Sequence, residues 1–163
     1  MRAKARALLL FFAVLIGSAG CDHASKQIAL SALAHETVSL AGDALRFQLA
    51  HNAGAFMSAG EGLPDGLRSV LLVGLVPLIV VGLCAHFLRS AELPVALAVG
   101  LGLVAGGGLS NWLDRLLHDG FVTDFILLRA GALHTGIFNV ADVAVVAGVL
   151  LVVLARRSRT SDV

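Results

Sequence analysis

Three apolar runs do most to decide what this chain can fold into. Ser69 to Leu88, Leu93 to Leu113 and Ile137 to Ala155 each approach the ~20 residues that an α-helix needs to cross ~30 Å of hydrocarbon. A soluble domain of 163 residues needs a charged shell. Here 58% of the residues are hydrophobic and only 14% charged, too thin a charged shell for a soluble domain. Pro77 falls inside the first run, where a membrane helix tolerates it. The stretch "GLGLVAGGGLS" weakens helix propensity but lets neighbouring helices approach closely. A net charge of +1 excludes the basic field of a nucleic-acid binder.

The opening stretch "LLLFFAVLIGSAGCDHASK", Leu8 to Lys26, admits two readings. Its basic start (Arg2, Lys4, Arg6), apolar run, small residues and Cys21 have the layout of a lipoprotein leader. The run from Ala7 to Gly20 is short for a crossing, which suits that reading. Against it, Ser18 stands three residues before Cys21, where such leaders typically carry Leu. The continuation "CDHASKQIALSAL" has no Gly or Pro and stays helix-compatible. Three further spans follow, whereas lipoprotein cargo is usually soluble. Residues 7–22 therefore read as an uncleaved first span, and Cys21 as an incidental thiol.

Charge orients the spans. Arg2, Lys4 and Arg6 precede the first; Arg156, Arg157 and Arg159 follow the last. Glu36, Asp43, Glu61 and Asp65 lie between the first and second. The positive-inside rule then puts both termini in the cytoplasm, with four spans and the short turn "RSAE" (Arg89 to Glu92) inside. Two segments, about 23–68 and 115–136, lie outside. In the first, "TVSL" and "ALRFQLA" alternate around "AGD", which predicts a small β-hairpin or sheet on the membrane surface. "HNAGAFMSAGEGLPDG" reads as loop. The expected fold is a membrane all-α bundle of four transmembrane helices (about 7–22, 69–88, 93–113 and 137–155), with a small extracytoplasmic sheet after the first. Residues 1–163 form one integral membrane domain.

This topology gathers the polar residues at one level. Asp22 and Lys26, then Asn111, Asp114 and Arg115, then Asn139 and Asp142 all fall at outer ends of spans, and Asn52 and Asp124 lie in the outer segments. Asn139 and Asp142 are three apart, hence on one helix face; Gly107, Asn111, Asp114 and Arg115 follow the same periodicity. An aspartate inside a span needs a partner, a proton or water. Two carboxyls close together in a dry site share a proton, so one serves as acid and the other as base. Such a pair can activate water against a peptide carbonyl and protonate the leaving nitrogen. Asp124, in "GFVTDFI", is a possible partner for Asp142, its loop dipping into the membrane surface. Each residue also has a plainer reading. Asp114 with Arg115 makes an interfacial anchor, and Lys26 a snorkelling one. Asp142 bonds a neighbouring helix, Asp124 is a solvated loop acid, and Asn52 is a turn residue.

Other chemistries find little support. The six histidines show no HExxH or tight ligand spacing, so no metal is expected. Cys84 lies in an apolar run, so no disulfide with Cys21 is expected. No GxSxG occurs, and Ser58 and Ser110 lack evident His–Asp partners.

Four blocks in order resemble the lipoprotein signal peptidases, or signal peptidase II: "CDHASK", "NAGAFMS", "GGGLSNWLDRLLHDGFVTDFI" and "FNVADVAVVAG". The resemblance covers most of the chain, and the last two blocks are its specific part. It implies an intramembrane aspartic endopeptidase that cleaves lipid-modified prolipoproteins before the diacylglyceryl-cysteine, with Asp124 and Asp142 as the catalytic pair. It implies supporting or substrate-binding roles for Asp22, Lys26, Asn52, Gly54, Gly107, Asn111, Asp114, Arg115, Asn139 and Ala141. It further implies a β-cradle outside the membrane, no cofactor, a bacterial inner-membrane location, contact with membrane lipids, and binding of the inhibitor globomycin. A monomer is expected. Two departures stand out: Phe56 comes one position early in Ala-Phe-Met, and His23 replaces a common Gln. Two competing readings are a small transporter or channel component and a non-catalytic lipoprotein-binding relative. A transporter predicts polar residues along the whole pore, yet the inner halves of spans two to four hold only His86.

Overall fold

A computed structural model describes residues 2–55, 60, 62–89 and 94–160. The Phe56 departure, Ser58, Glu61 and most of the "RSAE" turn lie outside the described residues. Helix α1 (Arg2–Ala32) runs unbroken through Cys21. At ~1.5 Å per residue its 31 residues reach about 46 Å, well beyond a hydrocarbon core. The apolar run that looked short is thus continued by the polar-ended segment after it, and Cys21 is exposed on the helix.

The expected hairpin forms between β1 (Val38–Leu40) and β2 (Leu45–Asn52), with Val38 opposite Phe47 and Leu40 opposite Leu45. The sheet is larger than the hairpin. The second outer segment supplies β3 (Val122–Ala130) and β4 (Leu133–His134), giving an antiparallel order β1-β2-β3-β4. "GFVTDFI" is therefore a strand rather than a loop dipped into the membrane. The eye misses it because Val122 to Phe125 are buried in succession, without the alternation that marks a half-exposed strand. The pairing of β2 with β3 is irregular between Phe47 and Ala50; beyond that bulge Ala50 lies opposite Asp124 and Asn52 opposite Val122.

Span two extends from Asp65 as α2 (Asp65–Ser69), a π-helical stretch (Val70–Leu75) and α3 (Val76–Arg89). Pro77 cannot donate to the carbonyl of Val73 one turn earlier. The indole Nε1 of Trp112 donates to that carbonyl instead, at 2.9 Å. Helix α4 (Val95–Leu117) carries Trp112, and α5 (Val140–Thr160) completes the chain. Asp65–His86, Val95–Leu117 and Ala3–Ala32 are long and apolar enough to cross a bilayer. The chain is a multi-pass membrane protein. Helix α5 carries Asp142 in its first turn and Arg156 and Arg157 near its end, and it falls outside that set of three.

Helix α4 packs between α1 and α5, and glycine makes the approach possible. A Cβ on Gly148 would meet the carbonyl oxygen of Gly100 at 2.5 Å, and one on Gly106 would meet that of Leu15 at 2.5 Å. Lipid gives helices no hydrophobic reason to associate, so such close backbone contact carries the packing. Phe125 and Leu33 join the sheet to the end of α1, in a cluster that Val140 of α5 also touches.

Candidate active site

The site begins at the start of α5. Asn139 is its N-cap: the Oδ1 accepts from the backbone N–H of Asp142 at 3.0 Å, and the Asp142 Oδ2 accepts from the backbone N–H of Asn139 at 3.2 Å. This is a reciprocal capping box with the carboxylate in the third helical position. The buried N–H of Ala141, which has no acceptor within its own helix, is taken from outside, by Asp22 Oδ1 at 2.8 Å. Asp142 is thus held by main chain as well as side chains.

Asp124 comes to the same place from the sheet. The Asn139 amide donates to Asp124 Oδ1 at 2.7 Å and to Asn111 Oδ1 at 3.0 Å, and the Asn111 amide donates to Asp142 Oδ1 at 2.9 Å. Asn52 donates to Asp124 Oδ2 at 2.8 Å. Asp124 is 1% exposed and Asp142 6%. Burial pushes the Asp124 carboxyl up to about 6. The Asn52 hydrogen bond opposes that rise, the Asp142 charge adds to it, and Asn139 and Lys26 oppose it.

Beneath the pair lies a second polar layer. Lys26, 2% exposed, reaches Asp22 at 2.6 Å, Asp114 at 2.9 Å and Asn111 Oδ1 at 2.9 Å. It is a buried hub, not a snorkelling anchor. Asp114 and Arg115 do not form an anchor pair either. Asp114 also accepts from the backbone N–H of Thr123 at 3.1 Å, which fixes the start of β3. Arg115 donates to the carbonyls of Gly54 at 2.6 Å and Asn111 at 3.0 Å, tying the loop after β2 to α4. Asn52 is a turn residue as well as a donor to Asp124, for its Oδ1 accepts from the Gly54 N–H at 2.9 Å.

All the candidates except Gly107 therefore join one network. Gly107 lies a turn deeper in α4, where a Cβ would meet the carbonyl oxygen of Ala141 at 2.5 Å. It sets how closely α4 approaches the first turn of α5. Ser110 was not among the candidates, yet its hydroxyl donates to Asp22 Oδ2 at 2.7 Å. Its place in the 107–110–114 helical spacing was the available signal. An apolar groove of about 300 Å³ opens beside Asp142, lined by Leu128, Phe138, Val143, Val146 and Leu150. Among the described residues no group of three or more His, Cys, Asp or Glu could hold a metal ion.

Apolar helices joined at one end to a sheet, with two buried aspartates brought together there, make a multi-pass membrane protein with a candidate acid–base pair. The fold is similar to that of a bacterial membrane enzyme solved by the in meso method at 2.3 Å resolution, with TM-score 0.76, 24% identity, and coverage of 97% of this chain and 91% of the other. The profile of the family described as signal peptidase (SPase) II matches residues 12–156, and the chain belongs to that family. It is similar to the lipoprotein signal peptidase of Streptomyces coelicolor, 33% identical over 99% of this chain and 76% of that protein. It also resembles the one from Helicobacter pylori, 30% identical over 94% of this chain and 90% of that protein.

Proposed function

We propose that this chain removes signal peptides from prolipoproteins as an aspartic endopeptidase, cutting before the diacylglyceryl-cysteine, with Asp124 and Asp142 as the catalytic pair. The observation that carries this reading is the Asn139 side chain. It donates to one carboxylate and caps the helix turn bearing the other. One carboxylate takes a proton from water as its oxygen bonds to the scissile carbonyl carbon. The other donates its proton to the departing nitrogen as the C–N bond breaks. Asp124 is the group that keeps its proton until pH approaches about 6. The groove beside Asp142 offers the apolar part of the substrate a path along α5.

The finer architecture belongs to the same proposal. α5 is the fourth crossing, both termini are cytoplasmic, and residues 1–163 act as one monomeric domain in the bacterial inner membrane, with the site at the outer leaflet. Basic residues at both chain ends support that orientation. A lipid-anchored substrate would then present its scissile bond at the level of the two aspartates.

Cleavage of a lipidated prolipoprotein in detergent, followed by gel shift, tests the mechanism. Asp124→Asn and Asp142→Asn should each slow cleavage by at least about 10²–10⁴-fold while the chain still folds and melts cooperatively. Normal cleavage by either variant would overturn it.

A further inference from the structure

The end of the sheet remote from Asp124 carries a feature that peptide cleavage does not use. Arg46 on β2 and Arg129 near the end of β3 converge on one acid, Asp43, in the β1–β2 turn. Arg46 spends Nε and one Nη on it, at 2.9 and 2.6 Å, and Arg129 one Nη. The Arg46 bonds hold the Asp43 carboxyl below its usual range, so the acid stays ionised. Two guanidiniums against one carboxylate leave the cluster with an excess positive charge and with N–H groups to spare. The same arginines, with Gln48 and His134, rim a pocket of about 350 Å³ floored by Leu127 and Ile137. His134 Nδ1 lies 2.8 Å from the carbonyl of Thr135. That oxygen can only accept, so Nδ1 carries the proton, and the N–H groups left to spare at the rim are those of the guanidiniums.

The neighbouring surface is apolar. Leu133, at the tip between β3 and β4, is 77% exposed, and Leu40 and Leu128 are about half exposed. An apolar tip flanked by arginine and histidine is the arrangement of a segment lying in the headgroup region of a bilayer. The sheet packs on the outer end of α1 and the start of α5, which puts it at that level.

We propose that the pocket rimmed by Arg46, Arg129 and His134 binds the phosphate of an anionic phospholipid in the adjoining leaflet, with Leu133 reaching toward its acyl region. The phosphodiester accepts from the free N–H groups of the guanidiniums. The apolar floor takes the glycerol backbone. Such a lipid would steady the sheet that carries Asp124. The proposal rests on the membrane placement above but not on the cleavage chemistry.

The test uses the full chain in bilayers with spin-labelled phosphatidylglycerol or phosphatidylcholine, reading the motionally restricted fraction of each. A basic residue near a membrane contributes roughly a five-fold preference for anionic lipid. Wild type should restrict phosphatidylglycerol about five-fold more than phosphatidylcholine, on the order of one such net charge. Arg46→Gln with Arg129→Gln leaves Asp43 alone and should bring the ratio to one or below. Asp43→Asn, which removes the competing acid, should raise it above wild type, an outcome that misfolding would not produce. Equal restriction of the two lipids by wild type, or an unchanged ratio in either variant, overturns the site. Prolipoprotein cleavage by wild type in neutral detergent keeps the readings apart. Cleavage without lipid preference overturns this site alone; lipid preference without cleavage overturns the peptidase reading alone.

Discussion

Asp22 on α1 accepts the backbone N–H of Ala141, in the first turn of α5, at 2.8 Å across 119 residues of sequence. A helix start is normally capped by the residues just before it. Here one cap comes from Asn139 and another from a different helix, so the turn that holds Asp142 is positioned by α1 as well as by its own strand of chain. The other Asp22 oxygen accepts from Ser110 and pairs with Lys26. Tertiary structure thus enters the placement of Asp142 at the main-chain level.

Lys26→Met should be the most destabilising change in the second polar layer. It leaves Asp22 and Asp114, 0% and 5% exposed, without their shared cation. Removing one partner of a buried pair typically costs about 3–5 kcal/mol. Thermal melting in detergent checks this. The double variant Lys26→Met with Asp114→Asn should recover part of the loss, because it buries one fewer unpaired charge.

Asn139→Ala should reduce cleavage more than it reduces stability. It removes the donor to Asp124 Oδ1 and the cap on the Asp142 N–H together. Loss of a cap and of a buried hydrogen-bond partner costs about 1–3 kcal/mol. The rate should fall by about 10²-fold or more, since misplacement of a reacting group by about an ångström has that effect. Comparing kcat with the melting temperature separates the two. A kcat that drops no further than the folded fraction would contradict the bridging role.

The Asp124 carboxyl gives a signed pH dependence. Its folded value is about 6 against an ordinary 3.8. Between those values the folded chain binds a proton that the unfolded chain has lost, so this group's contribution to stability falls as pH rises from about 4 to 6. Cleavage should likewise decline as pH rises past about 6, where the shared proton leaves. A rate–pH profile in detergent reads the second effect, and melting temperature against pH reads the first. Asp124→Asn should flatten the melting profile over that window.

Gly107→Ala should slow cleavage although Gly107 touches neither carboxylate. The added Cβ would stand 2.5 Å from the Ala141 carbonyl oxygen, a backbone atom that cannot turn aside. Overpacking of this kind costs about 1–3 kcal/mol and moves the first turn of α5. Gly17→Ala, where a Cβ meets nothing within 4 Å, is the control and should leave both rate and melting near wild type.

Much of the site was legible because helix periodicity is a local property. Asn139 with Asp142, and Asn111 with Asp114, are aligned by 3.6 residues per turn whatever surrounds them. The hairpin of β1 and β2 was legible for the same reason, since its alternation and turn lie in one short stretch. Strand β3 was not, because it is buried at its start on both faces, and its partner β2 lies some 70 residues away in sequence; at that distance no pattern within either segment specifies the pairing. For Lys26 the sequence left two readings open, a site residue and a snorkelling anchor, because a lone lysine near a helix end usually reaches for water. Two acids and Asn111, brought to it by folding, make burial the better state.

By itself, then, the sequence determined a membrane protein, the order of its apolar helices, the first hairpin and the helix faces on which the polar residues sit. Hydrophobic length and periodicity are written residue by residue and need no distant partner. Only the tertiary structure decided that Asp124 meets Asp142 through Asn139, that Asp22 caps α5, and that β2 and β3 close one sheet over them. Each of those contacts joins segments whose local patterns carry no information about the other. They are fixed by the need of every buried carboxylate, amide and backbone N–H to find its partner once the helices have packed.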